Sequence, residues 1–270
     1  MSIAQDYSEN IARFTGFAEL YDRHRAGPPA VLAALLAHFS GVARPALVVD
    51  LGSGTGLSTR YWADKAERVT GIEPTPDMIR QAAVTTTAKN VSYHTGFSHA
   101  TGLRSRCAQV VCCLQALHWM EPAATFAEAE RILSRGGVFA ACDYDWPPTT
   151  TSWEADAAFT SSFRTARRFG KELQVESGLQ QWDKAGHLAR MEASGCFRYV
   201  KEVVVHHIDE GNADRLTGLL FSQGFVQSVL KKGVPESDLG IDTLRRIARH
   251  HLGETPSPFI WSARVRVGVV

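Results

Sequence analysis

Residues 48–59 read VVDLGSGTGLST and place three glycines at alternate positions behind an apolar run that contains one acid, Asp50. The run ALVVDL at 46–51 predicts a buried strand, and residues 57–66 predict a helix. Glycine adopts positive φ without strain and lets a ligand approach the backbone closely. A tight turn between strand and helix needs only one glycine. Three of them predict a ligand-binding loop.

Strands and helices alternate along the first half of the chain. Apolar runs predict the strands, and apolar residues at helical spacing predict the helices, the last of which is ended by Gly136-Gly137. The predicted strands are 46–51, 68–73, 91–94, 108–114 and 138–144, and the predicted helices are 57–66, 76–84 and 121–133. This repetition is typical of an α/β, doubly wound fold, in which helices cover both faces of a parallel sheet.

The composition argues against several other classes of protein. The chain has 270 residues and a net charge of +1, which disfavours a nucleic-acid partner, and no apolar run approaches the roughly 20 residues of a membrane span. The first residues have neither the basic nor the apolar part of a secretory signal, so we expect a cytoplasmic protein. The five cysteines include no C-x-x-C pair and predict reduced thiols. We expect no metal site.

The spacing of the glycines bears on which nucleotide the loop binds. A dinucleotide site reads G-x-G-x-x-G, whereas Gly52, Gly54 and Gly56 read G-x-G-x-G. Asp50 would face a pyrophosphate unfavourably, but its carboxylate suits an ammonium group. Glu73 ends the second predicted strand, where it can accept hydrogen bonds from both hydroxyls of a ribose. These features favour S-adenosylmethionine over a nicotinamide dinucleotide.

Five stretches of sequence carry a resemblance to a known family. They are VVDLGSGTGLST, VTGIEPTPDMIRQA, TGFSHATGL, CLQALHWMEP and EAERILSRGGVFA, and the resemblance covers about residues 17–145. With them the sequence resembles the class I S-adenosylmethionine-dependent methyltransferases, in particular the small-molecule group that includes trans-aconitate methyltransferase. The resemblance implies a mostly parallel, seven-stranded Rossmann-like sheet whose last strand is antiparallel, together with a helical cap.

The resemblance also implies which residues hold the cofactor. Gly52, Ser53 and Gly54 would line its methionine part with Asp50 beside them, and Glu73 would bind the ribose. The other implied contacts lie near the adenine, at the lip of the pocket and in an N-terminal segment that closes over the cofactor; they are Pro74, Met78, Phe97, Ser98, Gln115, Tyr21 and Arg25.

Some of these positions depart from the family pattern or have a plainer alternative role. Phe97 stands where the family often has an acid that reaches the adenine amino group, and Ala26 stands where a proline often follows the arginine. Met78 is equally explained as a helix core residue. Tyr21 and Arg25 are equally explained as part of a solvated helix face.

Methyl transfer is an in-line displacement in which the protein mainly orients the acceptor and excludes water. A general base is needed only when the acceptor carries a proton at the moment of attack. His118 follows the fourth predicted strand, and Tyr144 and Asp145 follow the fifth, so these three are the candidate catalytic residues. The alternative for His118 is a structural role in a corner that it forms with Trp119.

The second half of the chain is expected to determine the acceptor. We expect a cofactor-binding core with an N-terminal helical lid at 1–145, helical cap insertions at 146–197 and 209–258, and the final strands of the sheet at 198–208 and 259–270. Both helical segments would cover the carboxyl edge of the sheet and enclose a small acceptor. A contact in a homodimer is the alternative use of these segments.

The sequence therefore predicts an enzyme that transfers a methyl group from S-adenosylmethionine to an oxygen, nitrogen or carbon atom of a small molecule and releases S-adenosylhomocysteine. Its partner is a small-molecule substrate rather than a nucleic acid or a membrane. Two alternatives remain: a non-catalytic protein that binds S-adenosylmethionine or S-adenosylhomocysteine on the same fold, and an NAD-dependent oxidoreductase.

Overall fold

The computed structural model describes residues 6–270, so the first five residues of the expected N-terminal lid lie outside the described residues. The strands are β1 (Val48–Leu51), β2 (Val69–Glu73), β3 (Val91–Thr95), β4 (Ala108–Leu114), β5 (Leu133–Tyr144), β6 (Tyr199–Gly211) and β7 (Ser257–Val269). The helices are α1 (Ser8–Arg13), α2 (Ala18–His24), α3 (Leu32–Ser40), α4 (Leu57–Tyr61), α5 (Pro76–Thr85), α6 (Pro122–Ile132), α7 (Trp153–Glu172), α8 (His187–Ala193), α9 (Ala213–Phe221), α10 (Gly224–Lys231) and α11 (Ile241–His251).

The strands form a seven-stranded sheet in the order β3-β2-β1-β4-β5-β7-β6. Strands β1 to β5 pair in parallel, and β7 pairs antiparallel with β5. Parallel neighbours require crossover connections, and the helical patterns of the sequence supply α4, α5 and α6 at three of them. The predicted α/β, Rossmann-like sheet with an antiparallel last strand is confirmed.

The described residues form two compact units. The sheet unit consists of Gly27–Tyr144, Gln180–Val205 and Ala263–Val270. The helical unit consists of the segment up to Ala26, Asp145–Leu179 and His206–Ser262. Within residues 6–270, no helix combines the length and the apolar composition that a membrane crossing requires. That the helical segments cap the sheet, and the boundaries expected for them, stay predictions.

Each unit has its own apolar core. In the sheet unit, the rings of Phe126 on α6, Phe139 on β5 and Phe197 lie 5.6–5.7 Å apart, and all three side chains are buried. In the helical unit, α7 packs against α10 and α11, and Phe163 meets the buried Phe225 edge-on at 5.0 Å. Burying one such ring stabilises a fold by roughly 1.5–3 kcal/mol, so each unit has substantial apolar stabilisation of its own.

Two details of the predicted elements are wrong. Helix α4 ends at Tyr61 instead of continuing to residue 66, because the amides of Trp62 and Ala63 bond the carbonyls three residues back and the backbone continues as turns. Gly136-Gly137 does not end α6: the helix ends at Ile132 and both glycines lie inside β5. A Cβ at Gly137 would lie 2.8 Å from the carbonyl oxygen of Ser134, so close packing requires that glycine.

A buried ion pair joins β5 to β7. Nη1 of Arg266 on β7 lies 3.0 Å from Oδ2 of Asp143 on β5, and both side chains are about 95% buried. The Nε atom of Arg266 lies 2.9 Å from Glu202 on β6. Removing one member of a buried pair leaves the other charge with less compensation in a medium of low dielectric constant.

We therefore expect Arg266→Met to lower the free energy of unfolding by about 3 kcal/mol, measured by urea denaturation. Arg264→Met is the matched control, because Arg264 lies two residues away on the same strand and its side chain is 42% exposed. The guanidinium of Arg264 lies 3.4 Å from Glu202. An exposed ion pair of this kind is expected to contribute less than about 1 kcal/mol to the free energy of unfolding. Equal losses in the two variants would contradict a special role for the buried pair.

Candidate active site

The glycine loop connects β1 to α4 and is fastened to the end of β2. The amides of Gly52 and Ser53 donate hydrogen bonds to the carbonyl oxygen of Ile72, at 2.8 and 3.1 Å. Gly52, Gly54 and Gly56 all have positive φ, at 67°, 54° and 85°. A residue with a Cβ is disfavoured there by roughly 1–2 kcal/mol, so this backbone path requires glycine.

The three glycines differ in what surrounds them. A Cβ on Gly52 would lie 2.6 Å from the side chain of Met120 and 2.7 Å from that of Ala116. A Cβ on Gly56 would overlap the hydroxyl of Tyr93. A Cβ on Gly54 would meet nothing within 4 Å. Packing within the protein therefore requires the outer two glycines, while the middle one borders open space.

Asp50 fastens the first turn of α4 to the end of β1. The carboxylate is fully buried and accepts hydrogen bonds from the hydroxyls of Ser58 and Thr59, at 2.5 and 2.6 Å, and the Cys112 thiol lies 3.8 Å away. Burial raises the pKa of Asp50 to about 6, although the hydroxyls oppose that shift. A contact between Asp50 and an ammonium group stays a prediction.

Glu73 joins the glycine loop to the turn that precedes α5. One carboxylate oxygen accepts a hydrogen bond from the Gly54 amide at 3.0 Å, and the other accepts from the Thr75 amide at 2.9 Å. Burial raises the pKa of the Glu73 carboxyl above its usual range. Because each carboxylate oxygen can accept more than one hydrogen bond, Glu73 retains acceptor capacity beside Gly54.

Two buried hydroxyls of the same loop have no hydrogen-bond partner among residues 6–270. They are Oγ of Ser53 and Oγ1 of Thr55, on side chains that are 4% and 1% exposed. A buried hydroxyl without a partner costs about 1–3 kcal/mol, and such groups are uncommon unless a water or a ligand serves them. The loop therefore combines open space at Gly54 with unsatisfied polar groups on either side of it.

The residues expected near the adenine are differently placed. Met78 is buried in α5, as its alternative role as a helix core residue requires. The hydroxyl of Ser98 lies 2.8 Å from that of Thr125, and the ring of Phe97 stacks on His99 at 5.5 Å. Pro74 is half-buried between Glu73 and the start of α5. Their contacts with a cofactor stay predictions.

A polar cluster lies at the carboxyl ends of β4 and β5. Nζ of Lys184 lies 2.9 Å from Oδ1 of Asp143 and donates to Oε1 of Gln115 at 3.1 Å. Nδ1 of His118 lies 3.9 Å from the same Asp143 oxygen. The backbone amide of Trp182 donates to the carbonyl of His118 at 2.8 Å. The segment around Lys184 thus spans the ends of both strands.

His187 borders this cluster as a neutral group. Burial lowers its pKa to about 4, and Asp143 opposes that shift while Arg266, Arg190 and Lys184 add to it. The Nδ1 atom of the His187 ring lies 3.0 Å from the guanidinium of Arg190. A guanidinium can only donate, so Nδ1 is the acceptor and the proton of the neutral ring is on Nε2.

The hydroxyl of Tyr144 is hydrogen-bonded to the protein backbone. Its hydroxyl donates to the carbonyl of Gly27 at 2.6 Å, and the side chain is 3% exposed. Deprotonation of an acceptor by this group would first require that hydrogen bond to break. A catalytic role for Tyr144 stays a prediction.

Three other predicted site residues belong to the helical unit, where their local contacts are defined. The guanidinium of Arg25 lies 4.7 Å from the ring centroids of both Tyr21 and Trp146. It also donates to the hydroxyl of Ser222 at 2.9 Å. Asp145 is exposed, and its amide bonds the carbonyl of Ser262 at 2.8 Å. Roles of Tyr21, Arg25 and Asp145 toward cofactor or acceptor stay predictions.

Lys184 is the residue of this region that the sequence did not indicate. It is preceded by a stretch without helical or strand periodicity, and it lies 41 residues after Asp143 in the chain. Asp143 lies at the end of the fifth predicted strand, 138–144, but a lysine that reaches it from a distant segment has no local signature.

Comparison with known proteins identifies the central part of the chain. Residues 49–141 match a methyltransferase domain. An uncharacterised methyltransferase of Mycobacterium tuberculosis is 32% identical over 92 residues, which are 33% of this chain and 36% of that protein. The chain thus spans about a third of the length of this curated relative. A malonyl-[acyl-carrier protein] O-methyltransferase of Salmonella typhimurium is 25% identical over 216 residues, 76% of this chain and 83% of that protein.

Solved structures share the fold. A protein of Anaeromyxobacter dehalogenans described as a candidate type II methyltransferase matches with a TM-score of 0.65 and 22% identity, over 91% of this chain and 97% of that one. Geranyl diphosphate C-methyltransferase of Streptomyces coelicolor, solved with S-adenosylhomocysteine, matches with a TM-score of 0.50 and 14% identity, over 89% of this chain and 76% of that one.

The raised pKa of Asp50 makes a prediction about stability. The folded-state value of about 6 lies above the ordinary value of 3.8, so the folded protein binds more protons than the unfolded chain between these limits. The contribution of Asp50 to stability is therefore largest below pH 4 and falls as the pH rises to about 6, by on the order of 2–3 kcal/mol. Asp50→Asn removes this dependence.

Urea denaturation of both proteins at several pH values between 4 and 7 checks this prediction. The free energy of unfolding of the variant, minus that of the natural protein, should increase with pH, because groups common to both cancel in the difference. A difference that does not change with pH would contradict a carboxyl group that is hard to ionise in the folded protein.

The glycine loop, Asp50, Glu73 and Gln115 all lie inside the matched residues 49–141. The family resemblance that the sequence motifs indicate is confirmed by this match and by the fold. Residues 49–141 thus resemble a methyltransferase domain, and the chain has the fold of the solved methyltransferase structures.

Proposed function

We propose that the protein transfers a methyl group from S-adenosylmethionine to a small molecule and releases S-adenosylhomocysteine. The observation that carries the proposal is the glycine loop, where open space at Gly54 adjoins the buried carboxylate of Glu73. A loop of this shape suits a ligand that approaches the backbone and presents hydroxyls to an acid.

The residues of the loop fit the cofactor chemically. The acceptor capacity of Glu73 suits ribose hydroxyls, and the hydroxyls of Ser53 and Thr55 are buried groups that a polar ligand would satisfy. The open space at Gly54 suits close passage of the methionine part. The solved complex of the Streptomyces coelicolor enzyme, which shares the fold, contains the product form of the same cofactor.

S-adenosylmethionine supplies a methyl group on a positively charged sulfur, so the protein has to position the acceptor and exclude water. His118 is the candidate group for accepting a proton from an acceptor. A ring with its proton on Nδ1 would direct that proton toward Asp143 and carry its basic lone pair on Nε2. Lys184 would hold Asp143 and Gln115 in place around it.

One relative indicates which class of acceptor to test first. The relative from Salmonella typhimurium is named for O-methylation of a malonyl group on acyl carrier protein. Carboxylic acids are therefore the first acceptors to test, and amines and phenols complete the panel. A carboxylate acceptor needs no general base, whereas a phenol does, so the panel also tests whether His118 is required.

Calorimetric titration with S-adenosylhomocysteine tests the proposal, with NADH as the control ligand. We expect saturable binding of S-adenosylhomocysteine and none of NADH, followed by turnover of at least one acceptor with S-adenosylmethionine. Tight binding of NADH alone would support an oxidoreductase instead. Binding of S-adenosylhomocysteine to a ligand-free sample, with no turnover of any acceptor, would favour a non-catalytic binding protein.

Gly54→Ala and Gly52→Ala form a matched pair that separates ligand contact from packing. Both positions have positive φ, so either substitution costs about 1–2 kcal/mol of stability through backbone strain. We expect Gly54→Ala to weaken S-adenosylhomocysteine binding at least about tenfold, because its Cβ enters the ligand's space. Gly52→Ala should lose about 1–3 kcal/mol more stability than Gly54→Ala, because its Cβ meets Met120 and Ala116.

Urea denaturation and titration of the two variants check these expectations together. Unchanged affinity in Gly54→Ala would remove the open space at this glycine from the cofactor site. Equal stability of the two variants would show that the close contacts at Gly52 are relieved at no cost.

A further inference from the structure

A cavity of about 450 Å³ lies at the amino ends of the first three strands. Its lining includes Leu47, Arg68 and Asn90, which immediately precede β1, β2 and β3. The glycine loop follows the carboxyl end of β1, so the cavity lies at the opposite edge of the sheet. Binding pockets for small molecules typically enclose about 300–1,000 Å³, and the cavity is within this range.

The charge of the cavity is of one sign. Arg68, Lys89 and Arg104 contribute to the lining together with His94, and the lining contains no Asp or Glu. All four side chains are exposed, and across residues 6–270 none of them makes a hydrogen bond or an ion pair. The lining thus carries three positive charges at about pH 7 and no negative one.

Two other exposed arginines of the same unit have acidic partners. The guanidinium of Arg80 lies 2.5 Å from Asp77, and that of Arg131 lies 2.6 Å from Glu128. These acids are three residues away on the same helix, where opposite charges stabilise each other. The cations of the cavity come from separate segments, and the lining holds no acid that would attract them, so a bound anion would gain from their charge.

The rest of the lining adds hydrogen-bonding and apolar groups. Thr70 on β2 and Ser92 on β3 are partners in the parallel register, and their hydroxyl oxygens lie 3.4 Å apart. Leu47, Val91 and Leu103 supply apolar surface. The cavity therefore offers an anion both charged donors and hydroxyl donors, and it offers an attached organic group an apolar wall.

The connection between β3 and β4 accounts for the cavity. Residues 96–107 contain an isolated bridge between Phe97 and Ala100, but no helix. The side chains of Thr70 and Ser92 share one face of the sheet because they are register partners. Gly102 and Arg104 of the connection line the same cavity.

We propose that this cavity is a second ligand site, distinct from the glycine loop, that binds a small phosphorylated molecule. A phosphate monoester carries between 1.5 and 2 negative charges at about pH 7 and three acceptor oxygens, which match the three cations and the two hydroxyls. Arginine forks pair with phosphate through two parallel hydrogen bonds. The site does not depend on the proposed methyl transfer.

Calorimetric titration of the whole protein at low ionic strength tests this site with three probes: inorganic phosphate, phenyl phosphate and benzoate. We expect saturable binding of at least one phosphate and much weaker binding of benzoate. Phenyl phosphate that binds more tightly than inorganic phosphate would identify an organic ester as the ligand. Equal affinities for inorganic phosphate and phenyl phosphate would show that the site recognises the phosphate group alone.

Arg68→Gln and Arg104→Gln should each weaken phosphate binding at least about tenfold, since each removes one charge-assisted contact. The matched control is Arg135→Gln, because Arg135 is an exposed arginine of the sheet unit that does not line the cavity. The control variant should bind phosphate like the natural protein. All three variants should unfold at the same urea concentration as the natural protein and retain its affinity for S-adenosylhomocysteine.

Three outcomes would overturn the proposal. The first is that none of the phosphate probes binds to the natural protein. The second is binding that survives both cavity substitutions, which would move the anion elsewhere. The third is binding of benzoate as tight as that of the phosphates, which would show that the cavity does not select phosphate. Failure of S-adenosylhomocysteine to bind would contradict the proposed function and leave this site unaffected.

Discussion

The carboxylate of Asp50, buried at the end of β1, holds the first turn of α4 through the hydroxyls of Ser58 and Thr59. This contact closes the glycine loop at its far end, while the amides of Gly52 and Ser53 close it at the near end on Ile72. The part of the loop between these two contacts therefore has little conformational freedom. Its path brings the Gly54 amide to Glu73, so the candidate cofactor site depends on a buried acid that need not touch the cofactor.

Burying that acid has a cost. Because the pKa of Asp50 is raised to about 6, ionisation of its carboxyl group lowers the stability of the folded protein. The hydrogen bonds from the surrounding hydroxyls reduce that loss but do not remove it. Sites that bind ligands commonly keep such unfavourable groups, because the rest of the fold provides the stability. The core around Phe126, Phe139 and Phe197 provides it in this unit.

The ends of β4 and β5 are organised by a segment from far along the chain. Lys184 joins Gln115 to Asp143, and Trp182 bonds the backbone of His118. The candidate acceptor residues are thus held by a piece of chain that follows a long excursion into the helical unit. A change of length or sequence in that excursion can therefore alter the acceptor region without touching the cofactor loop.

The alternation of apolar runs with helical patterns was sufficient to predict the sheet, because each of the first five strands carries its own local signal. The glycine loop was predictable for the same reason. The different surroundings of Gly52 and Gly54 could not be predicted. Met120 and Ala116, which pack against Gly52 and leave Gly54 open, come from another part of the chain. The contacts of Lys184 and the basic cavity were unpredictable for the same physical reason: their groups meet only after folding.

The helical unit is assembled from segments that are far apart in the chain, and this affects how it is synthesised. Arg25 bonds Ser222, which lies 197 residues later, and α2 packs against α9. At about 5–20 residues per second, the ribosome makes the native partner of α2 roughly 10–40 seconds after α2 itself. The stretch from Gly27 to Tyr144, which supplies most of the sheet, is complete well before that. Translation therefore favours early pairing of strands β1 to β5, while the N-terminal helices meet their partner later and β7 joins the sheet at the end.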